Sequence, residues 1–131
     1  MSANQNVYTQ RLLDYWDRSL FGFTRDGYSH GASESSPLCG DEVEFRVVLR
    51  DSRLEAVDAW AQGCCVLECC AAMLAELARG KPLTWLDAFT NQDWTNHVNI
   101  PISESRKKSC LMLPLRCLRK AVATPYERRS V

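Results

Sequence analysis

Two neighbouring segments alternate between apolar and polar residues, which is the pattern of half-buried β-strands. The first, Glu42–Arg50, has one face formed by Val43, Phe45, Val47 and Leu49. The second, Leu54–Gln62, has one face formed by Leu54, Ala56, Asp58 and Trp60, and the other by Glu55, Val57 and Ala59. The polar residues Asp51–Arg53 separate the two segments. The pattern therefore predicts an antiparallel β-hairpin.

The apolar period then changes to about 3.6 residues, which indicates a helix over Cys65–Arg79. Gly80 is suited to end this helix, and Pro82 prevents its continuation. The apolar stripe of the helix consists of Val66, Cys69, Cys70, Met73, Leu74 and Leu77. The residues expected on the opposite side are Glu68, Ala72, Glu76 and Arg79.

Some of the other segments have the apolar spacing of a helix, and the rest have no regular apolar pattern. Helices are predicted over Val7–Leu20, over Leu83–Phe89, and in a last helix that carries Pro114, Leu115, Leu118 and Val122. Proline is tolerated in the first turn of that last helix. Phe23–Pro37 is predicted to be a loop because it is rich in Gly, Ser and Asp, and Asn91–Ser105 is predicted to be mostly loop.

Length and composition indicate a single globular domain over residues 1–131, with a frayed tail at about 124–131. Apolar residues make up 46% of the 131 positions and charged residues 24%. Sixteen basic residues balance sixteen acidic ones, so no overall positive charge recruits nucleic acid or an anionic membrane. The longest apolar run contains Glu68 and Glu76 and is not expected to span a bilayer. Met1–Gln10 lacks the apolar region of a secretion signal, so a cytoplasmic protein is expected.

Seven cysteines are unusual in a chain of this length, and an odd number excludes complete pairing in internal disulfides. In the reducing cytosol, thiols act as buried apolar side chains, metal ligands or nucleophiles. Core packing is expected for Cys69, Cys70 and Cys117, which lie on or beside apolar helix faces. Cys65 lies off the apolar stripe in the first helical turn and is a candidate for thiol chemistry.

Cys39, Cys64 and Cys110 differ from the other cysteines because each lies between predicted elements. Cys64 and Cys110 precede helices, whose N-termini favour a thiolate. The positive charges of the basic run Arg106–Lys108 also favour the thiolate form of Cys110. The thiolate is the form that binds metals and attacks electrophiles.

Asp41 places a carboxylate two residues after Cys39, and positions two apart in an extended chain point to the same side. Three thiolates and one carboxylate suit tetrahedral zinc or an iron–sulfur cluster. The oxygen ligand is harder and more weakly held than the sulfurs, which favours a transferable metal or cluster. No CxxC pair nucleates a site, so spacing alone leaves open the alternative of scattered cysteines.

Four motifs follow one another in a specific order: Pro37-Leu38-Cys39-Gly40-Asp41, Gly63-Cys64 at a helix start, Gly80-Lys81 at its end, and Cys110-Leu-Met-Leu-Pro114. This order resembles the IscU/SufU/NifU-N family of iron–sulfur cluster assembly scaffolds over about Tyr8–Ala123. The resemblance implies an α+β fold, a small antiparallel β-sheet with helices packed on one face. It also implies a ligand set of Cys39, Asp41, Cys64 and Cys110.

The function implied by the resemblance is iron–sulfur cluster assembly. The site would hold zinc or iron and build a [2Fe–2S] cluster for transfer to apo iron–sulfur proteins. Sulfur would arrive as a persulfide from a cysteine desulfurase, with Cys110 as the acceptor.

Three features depart from the family pattern. Ser109 stands where IscU-type members have a histidine before the last cysteine. Ser103–Lys108 lacks the Leu-Pro-Pro-Val-Lys motif of IscU-type members, which argues against recognition by the specialised Hsp70 chaperone. The stretch between Cys64 and Cys110 is too short for the insertion of SufU-type members.

Two functions of different classes therefore stay open. The first is a non-enzymatic scaffold, and the second is a zinc-dependent sulfurtransferase in which Cys110 leaves the metal to accept sulfur. The missing histidine favours the transferase, whereas the missing insertion favours the scaffold. A purely structural zinc site is disfavoured by the aspartate, because closed structural sites are usually built from Cys and His.

The histidines and tryptophans are assigned no chemistry from the sequence. His30 and His97 are expected to be solvated in polar loops, with His97 as a distant substitute for the missing histidine. The tryptophans are expected in the core or at a partner-facing surface: Trp16, Trp60, Trp85 and Trp94.

Overall fold

A three-stranded antiparallel β-sheet organises the structure. The computed structural model describes residues 23, 26–36, 40–99 and 111–126, without the side chain of Cys65. The strands are β1 (His30–Ser36), β2 (Asp41–Arg50) and β3 (Arg53–Gln62), with β2 in the middle. The described helices are α1 (Cys65–Ala78), α2 (Leu83–Ala88), α3 (Asn91–Val98) and α4 (Met112–Val122). The predicted helix Val7–Leu20 lies outside the described residues.

The predicted hairpin is confirmed as β2 and β3, but most of β3 faces the other way from the prediction. A β-bulge at Val48 and Leu49 gives β3 one residue more than β2. Leu54 and Val57 consequently both face the core. The residues predicted to share the face of Leu54 lie on the other side of the sheet: Ala56, Asp58 and Trp60. Strict alternation could not reveal this, because a bulge exchanges the two faces of a strand beyond it.

Strand β1 lies within the segment predicted to be a loop, so that prediction is wrong. The strand pairs with β2 along its whole length, from His30 opposite Val47 to Ser36 opposite Asp41. Ala32 is the residue of β1 that packs against the hydrophobic core, and α4 covers the strand. Because backbone pairing and α4 hold β1 in place, its own side chains carry little of the apolar signal that predicts strands.

Helix α1 is confirmed, and it is buried on more sides than its apolar stripe indicates. It packs against β3 and α4. The alanines on its other faces are also at most 1% exposed: Ala71, Ala72, Ala75 and Ala78. The expected position of Ala72 away from the core is therefore wrong. Gly80 follows the helix with φ of 80°, and its N–H donates to the carbonyl of Leu54 at 2.7 Å.

Helix α3 lies in the segment that the sequence predicts to be mostly loop, so that prediction is wrong for Asn91–Val98. Thr90 and Asp93 form a capping box, in which each side chain accepts a hydrogen bond from the backbone N–H of the other. Trp94 and Val98, four residues apart, are at most 1% exposed. The Thr-x-x-Asp pattern before a buried aromatic residue was the sequence signal for this helix.

The core lies between the sheet and the helices. Helix α1 packs on β3, and α4 packs on β1 and β2. The α+β fold class, with helices packed on a small antiparallel sheet, is therefore confirmed. Within the described residues, no helix has the length and apolar character needed to cross a membrane.

The burial predicted for Cys69, Cys70 and Cys117 is confirmed, since all three are 0% exposed. The Cys117 thiol donates to the carbonyl oxygens of Ala32 and Val43, at 3.3 and 3.5 Å. Burial disfavours the thiolate and raises the pKa of Cys117 to about 12. Cys117 thus acts as a protonated core side chain rather than as a nucleophile.

Replacing Cys117 by Ala is expected to destabilise the protein less at high pH than at neutral pH. In the unfolded chain the thiol ionises near 9.0, whereas the folded protein keeps it protonated to about 12. The stabilisation is therefore complete below pH 9 and is lost as the pH rises towards 12. Urea unfolding at pH 8 and pH 10.5 should show the destabilisation by Cys117→Ala shrinking by about 2 kcal/mol.

Cys117→Ser is the matched control for this prediction, because its hydroxyl keeps a hydrogen-bond donor but does not titrate in this range. It should show the same pH dependence relative to wild type as Cys117→Ala, with a smaller loss of stability. A destabilisation that is equal at both pH values would contradict the buried, protonated thiol.

Candidate metal centre

Asp41 begins β2 directly after a tight turn. Gly40 has φ of 71°, which glycine adopts without strain, and its N–H donates to the carbonyl of Ser36 at 2.9 Å. Asp41 is 7% exposed. The glycine of the Cys-Gly-Asp motif thus closes the turn that places Asp41 at the end of the sheet. Cys39, whose side chain is predicted to point to the same side as that of Asp41, lies outside the described residues.

Cys64 is the N-cap residue of α1. Its sulfur accepts a hydrogen bond from the N–H of Leu67 at 3.4 Å, and its carbonyl oxygen accepts one from Glu68 at 3.1 Å. The side chain is partly buried and is not in a disulfide. The sulfur therefore lies where the unpaired N–H groups of the helix N-terminus favour negative charge.

Gly63 brings Asp41 and Cys64 together. It follows β3, one position after Gln62, which pairs with Glu42. A Cβ atom on Gly63 would lie 2.5 Å from Oδ1 of Asp41, closer than real Cβ atoms approach. The carboxylate of Asp41 consequently occupies the space that any side chain at position 63 would fill. Since Cys64 is the next residue, the Asp41 carboxylate and Cys64 lie at the same end of the sheet.

A carboxylate beside a cysteine at a helix N-terminus fits zinc or iron. Zinc accepts both carboxylate oxygen and thiolate sulfur as ligands. In the part of the chain that the structure describes, no hydrogen bond or ion pair reaches the Asp41 carboxylate.

The structure describes two of the four predicted ligands, Asp41 and Cys64, and places both at one end of the sheet. Cys39 and Cys110 lie outside the described residues, as does the side chain of Cys65. Among the residues that are described, no three His, Cys, Asp or Glu side chains form a group that could hold a metal ion. A metal ion held by Asp41 and Cys64 would therefore need further ligands.

The expectation that both histidines lie solvated in loops is wrong. His30 begins β1, is half-buried, and has Nδ1 2.9 Å from the hydroxyl oxygen of Ser29. His97 lies in the last turn of α3, half-buried, with its ring stacked on Trp94 at a centroid distance of 6.0 Å. Both residues belong to secondary structure that the sequence did not predict.

Gly63 is the site residue whose role the sequence did not reveal. The Gly-Cys pair was recognised as a motif, but only the cysteine was given a function. The sequence signal for this role was a glycine that does not end a predicted helix or form a predicted turn, and that directly precedes a candidate metal ligand. Its role depends on Asp41, which is 22 positions away in sequence and adjacent only in the folded sheet.

Comparison with known proteins gives the family. The family model of the NifU-like N terminal domain matches residues 7–131. Among curated proteins, none matches the chain by sequence.

Solved structures share the fold. A protein from Fervidobacterium islandicum AW-1, described as a candidate iron–sulfur cluster assembly scaffold for the SUF system, superposes with a TM-score of 0.72 at 18% identity. The match covers 92% of this chain and 99% of that one. An N-terminal NifU-like protein from Brucella abortus superposes with a TM-score of 0.69 at 16% identity, over 93% of this chain and 96% of that one.

The matched region contains all four motifs, in a fold with the sheet and helices that the resemblance implied. The resemblance to the IscU/SufU/NifU-N family is thereby confirmed, and the chain belongs to the family of NifU-like N-terminal domains.

Proposed function

We propose that this protein is a scaffold for iron–sulfur cluster assembly, with Cys39, Asp41, Cys64 and Cys110 as ligands. The observation that carries the proposal is the Asp41 carboxylate, buried against Gly63 beside Cys64. A buried charge is expensive unless it has a partner, and metal coordination supplies one. The protein acts as a single domain in the reducing cytosol, where the thiolates stay available.

The mixture of thiolate and carboxylate ligands favours a metal or cluster that is transferred over one that is held permanently. Thiolates are soft ligands and hold zinc, iron and iron–sulfur clusters firmly. The carboxylate is a harder ligand and exchanges more readily, so Asp41 is the first of the four ligands to be replaced. A [2Fe–2S] cluster held in this way can pass to an apo iron–sulfur protein by replacement of that oxygen with an incoming thiolate.

Sulfur reaches the site from a cysteine desulfurase. The thiolate of Cys110 attacks the outer sulfur of the desulfurase persulfide, which leaves a persulfide on Cys110 and a thiol on the desulfurase. An external reductant then converts this sulfane sulfur to sulfide, which combines with iron at the site. Arg106–Lys108 supplies positive charge next to Cys110 for the attacking thiolate and for an acidic partner surface.

A zinc-dependent sulfurtransferase is the second candidate function, and Ser109 favours it. IscU-type members have a histidine before the last cysteine, and this chain has none there. In this alternative, zinc remains on Cys39, Asp41 and Cys64 while Cys110 carries sulfur to a further acceptor.

Anaerobic reconstitution should distinguish the two functions. The protein is mixed with a cysteine desulfurase, cysteine, ferrous iron and dithiothreitol, and visible absorption is recorded. A scaffold develops the charge-transfer bands of a thiolate-ligated [2Fe–2S] cluster. Retained zinc and accelerated sulfide release without these bands would establish the transferase and overturn the scaffold.

Cys110→Ser should abolish persulfide labelling by the desulfurase under both functions, because serine cannot hold sulfane sulfur. Labelling is measured by mass spectrometry of the intact protein after incubation with desulfurase and cysteine. Cys65→Ser is the matched control and should label like wild type. Undiminished labelling of Cys110→Ser would show that another cysteine accepts the sulfur.

Gly63→Ala should weaken metal binding through Asp41. The new methyl group would displace the carboxylate, and mutation of groups that orient a ligand typically lowers metal affinity about 10–100-fold. Competition between the protein and a chromophoric chelator for Zn²⁺ measures the affinity. Asp41→Ala should lower it by a similar factor.

A double-mutant cycle provides the control for this prediction. If the alanine acts by displacing the carboxylate, adding Gly63→Ala to Asp41→Ala should leave Zn²⁺ affinity unchanged. Fully additive losses would show that Gly63 acts on the site by another route.

A further inference from the structure

One face of the sheet packs against the helices, and the opposite face, which we call the outer face, is covered over only part of its length. At the covered end, Arg46 of β2 lies between Gly31 of β1 and Asp58 of β3. A Cβ atom on Gly31 would lie 3.1 Å from the ring of Tyr126, and the hydroxyl of Tyr28 donates to the carboxylate of Asp58. Asp58 is accordingly only 3% exposed. Aromatic side chains thus shield this end of the outer face from water.

The other end of the outer face is bare. The residues of its two rows are exposed or half-buried, and we call them the Trp60 surface: Ser33, Ser35, Glu42, Glu44, Trp60 and Gln62. Among the described residues, Trp60 is the one large hydrophobic side chain that is exposed, at 36%. A cavity of about 450 Å³ is lined by these residues other than Gln62. Glu42 and Gln62 adjoin Asp41 and Gly63 in the chain, so the Trp60 surface borders the candidate metal centre.

Three carboxylates line this cavity, and two of them already have a cation beside them. Nε of Arg46 lies 2.7 Å from the carboxylate of Glu44, and Nζ of Lys120 lies 4.0 Å from that of Glu34. In the part of the chain that the structure describes, no ion pair reaches the exposed carboxylate of Glu42. The uncompensated charge of the cavity is therefore negative and lies at Glu42.

The outer face already binds one guanidinium group with a ring and a carboxylate. The guanidinium carbon of Arg46 lies 3.8 Å from the centre of the Phe23 ring, while its Nε donates to Glu44. Trp60 and Glu42 offer the same two kinds of group, since they are diagonal neighbours on β3 and β2, a separation of about 7–8 Å. Among aromatic side chains, tryptophan binds cations best. The bare end of the outer face is therefore suited to a second guanidinium group.

We propose that the Trp60 surface is a docking site for an arginine side chain of a partner protein. The guanidinium group stacks on the Trp60 ring and pairs with the carboxylate of Glu42. Ser33, Ser35 and Gln62 supply hydrogen bonds to the backbone of the partner. Arginine fits better than lysine because its planar guanidinium group both stacks on a ring and pairs with a carboxylate through two hydrogen bonds. The docking site does not depend on a metal, but it places the partner beside the candidate metal centre.

The test is an NMR titration of the isotope-labelled protein with the peptide acetyl-Gly-Gly-Arg-Gly-Gly-amide. Backbone resonances of the Trp60 surface should shift saturably at millimolar peptide. The same peptide with lysine in place of arginine should bind more weakly, and so should N-acetylarginine amide, which lacks the peptide backbone. Trp60→Leu and Glu42→Gln should each lower the affinity for the arginine peptide about threefold, and together about tenfold.

Glu55→Gln is the matched control for Glu42→Gln. It removes the same charge from β3 at the other end of the hairpin, where Glu55 pairs with Arg50 at 3.4 Å. This variant should bind the arginine peptide like wild type. The replaced side chains are all exposed, and the resonances of the buried core show that each variant keeps the fold.

Several outcomes would overturn the docking site. One is a wild-type protein whose Trp60 surface shows no saturable shift, and another is a lysine peptide that binds as tightly as the arginine peptide. Equal losses of affinity in Glu42→Gln and Glu55→Gln would show attraction by net charge alone. If N-acetylarginine amide binds as tightly as the peptide, the cavity binds a small cation rather than a partner protein.

Discussion

The contact on which the candidate site depends is the seating of the Asp41 carboxylate on the bare backbone of Gly63. It requires two separate backbone features, a left-handed Gly40 that starts β2 at Asp41 and a residue without a side chain at the end of β3. The pairing of β2 with β3 then brings them together. A carboxylate is thus buried next to the point where Cys64 begins α1. The register of the hairpin therefore also determines which side chains can form the candidate site.

Burial divides the described cysteines into two chemical groups. Cys69, Cys70 and Cys117 are closed inside the core, and for Cys117 this burial raises the pKa to about 12. Cys64 is only partly buried and lies at the N-terminus of α1. A chain rich in thiols can thus keep some of them inert in the core while another lies partly exposed at a helix N-terminus. The same separation protects the core from the sulfur chemistry proposed at its edge.

The support around the candidate site includes a residue that is not itself a ligand. Gly63 acts through its lack of a side chain, because a Cβ atom there would collide with the Asp41 carboxylate. Such a residue would not be chosen from a catalogue of metal-binding side chains. It acts on the position of a donor atom, and groups that orient a ligand contribute to metal affinity.

Local patterns were sufficient for the hairpin, for α1 with its glycine stop, and for the burial of Cys69, Cys70 and Cys117, because periodicity and capping act over a few residues. The order of the motifs was sufficient for the family. The strand β1 and the helix α3 were not predicted, since β1 is held by pairing with β2, and α3 by a capping box and only two buried side chains, Trp94 and Val98. The face of β3 was decided by a bulge that alternation cannot record. Only the folded sheet decided that Asp41 rests on Gly63, because contacts between residues distant in the chain arise from the packing of whole elements.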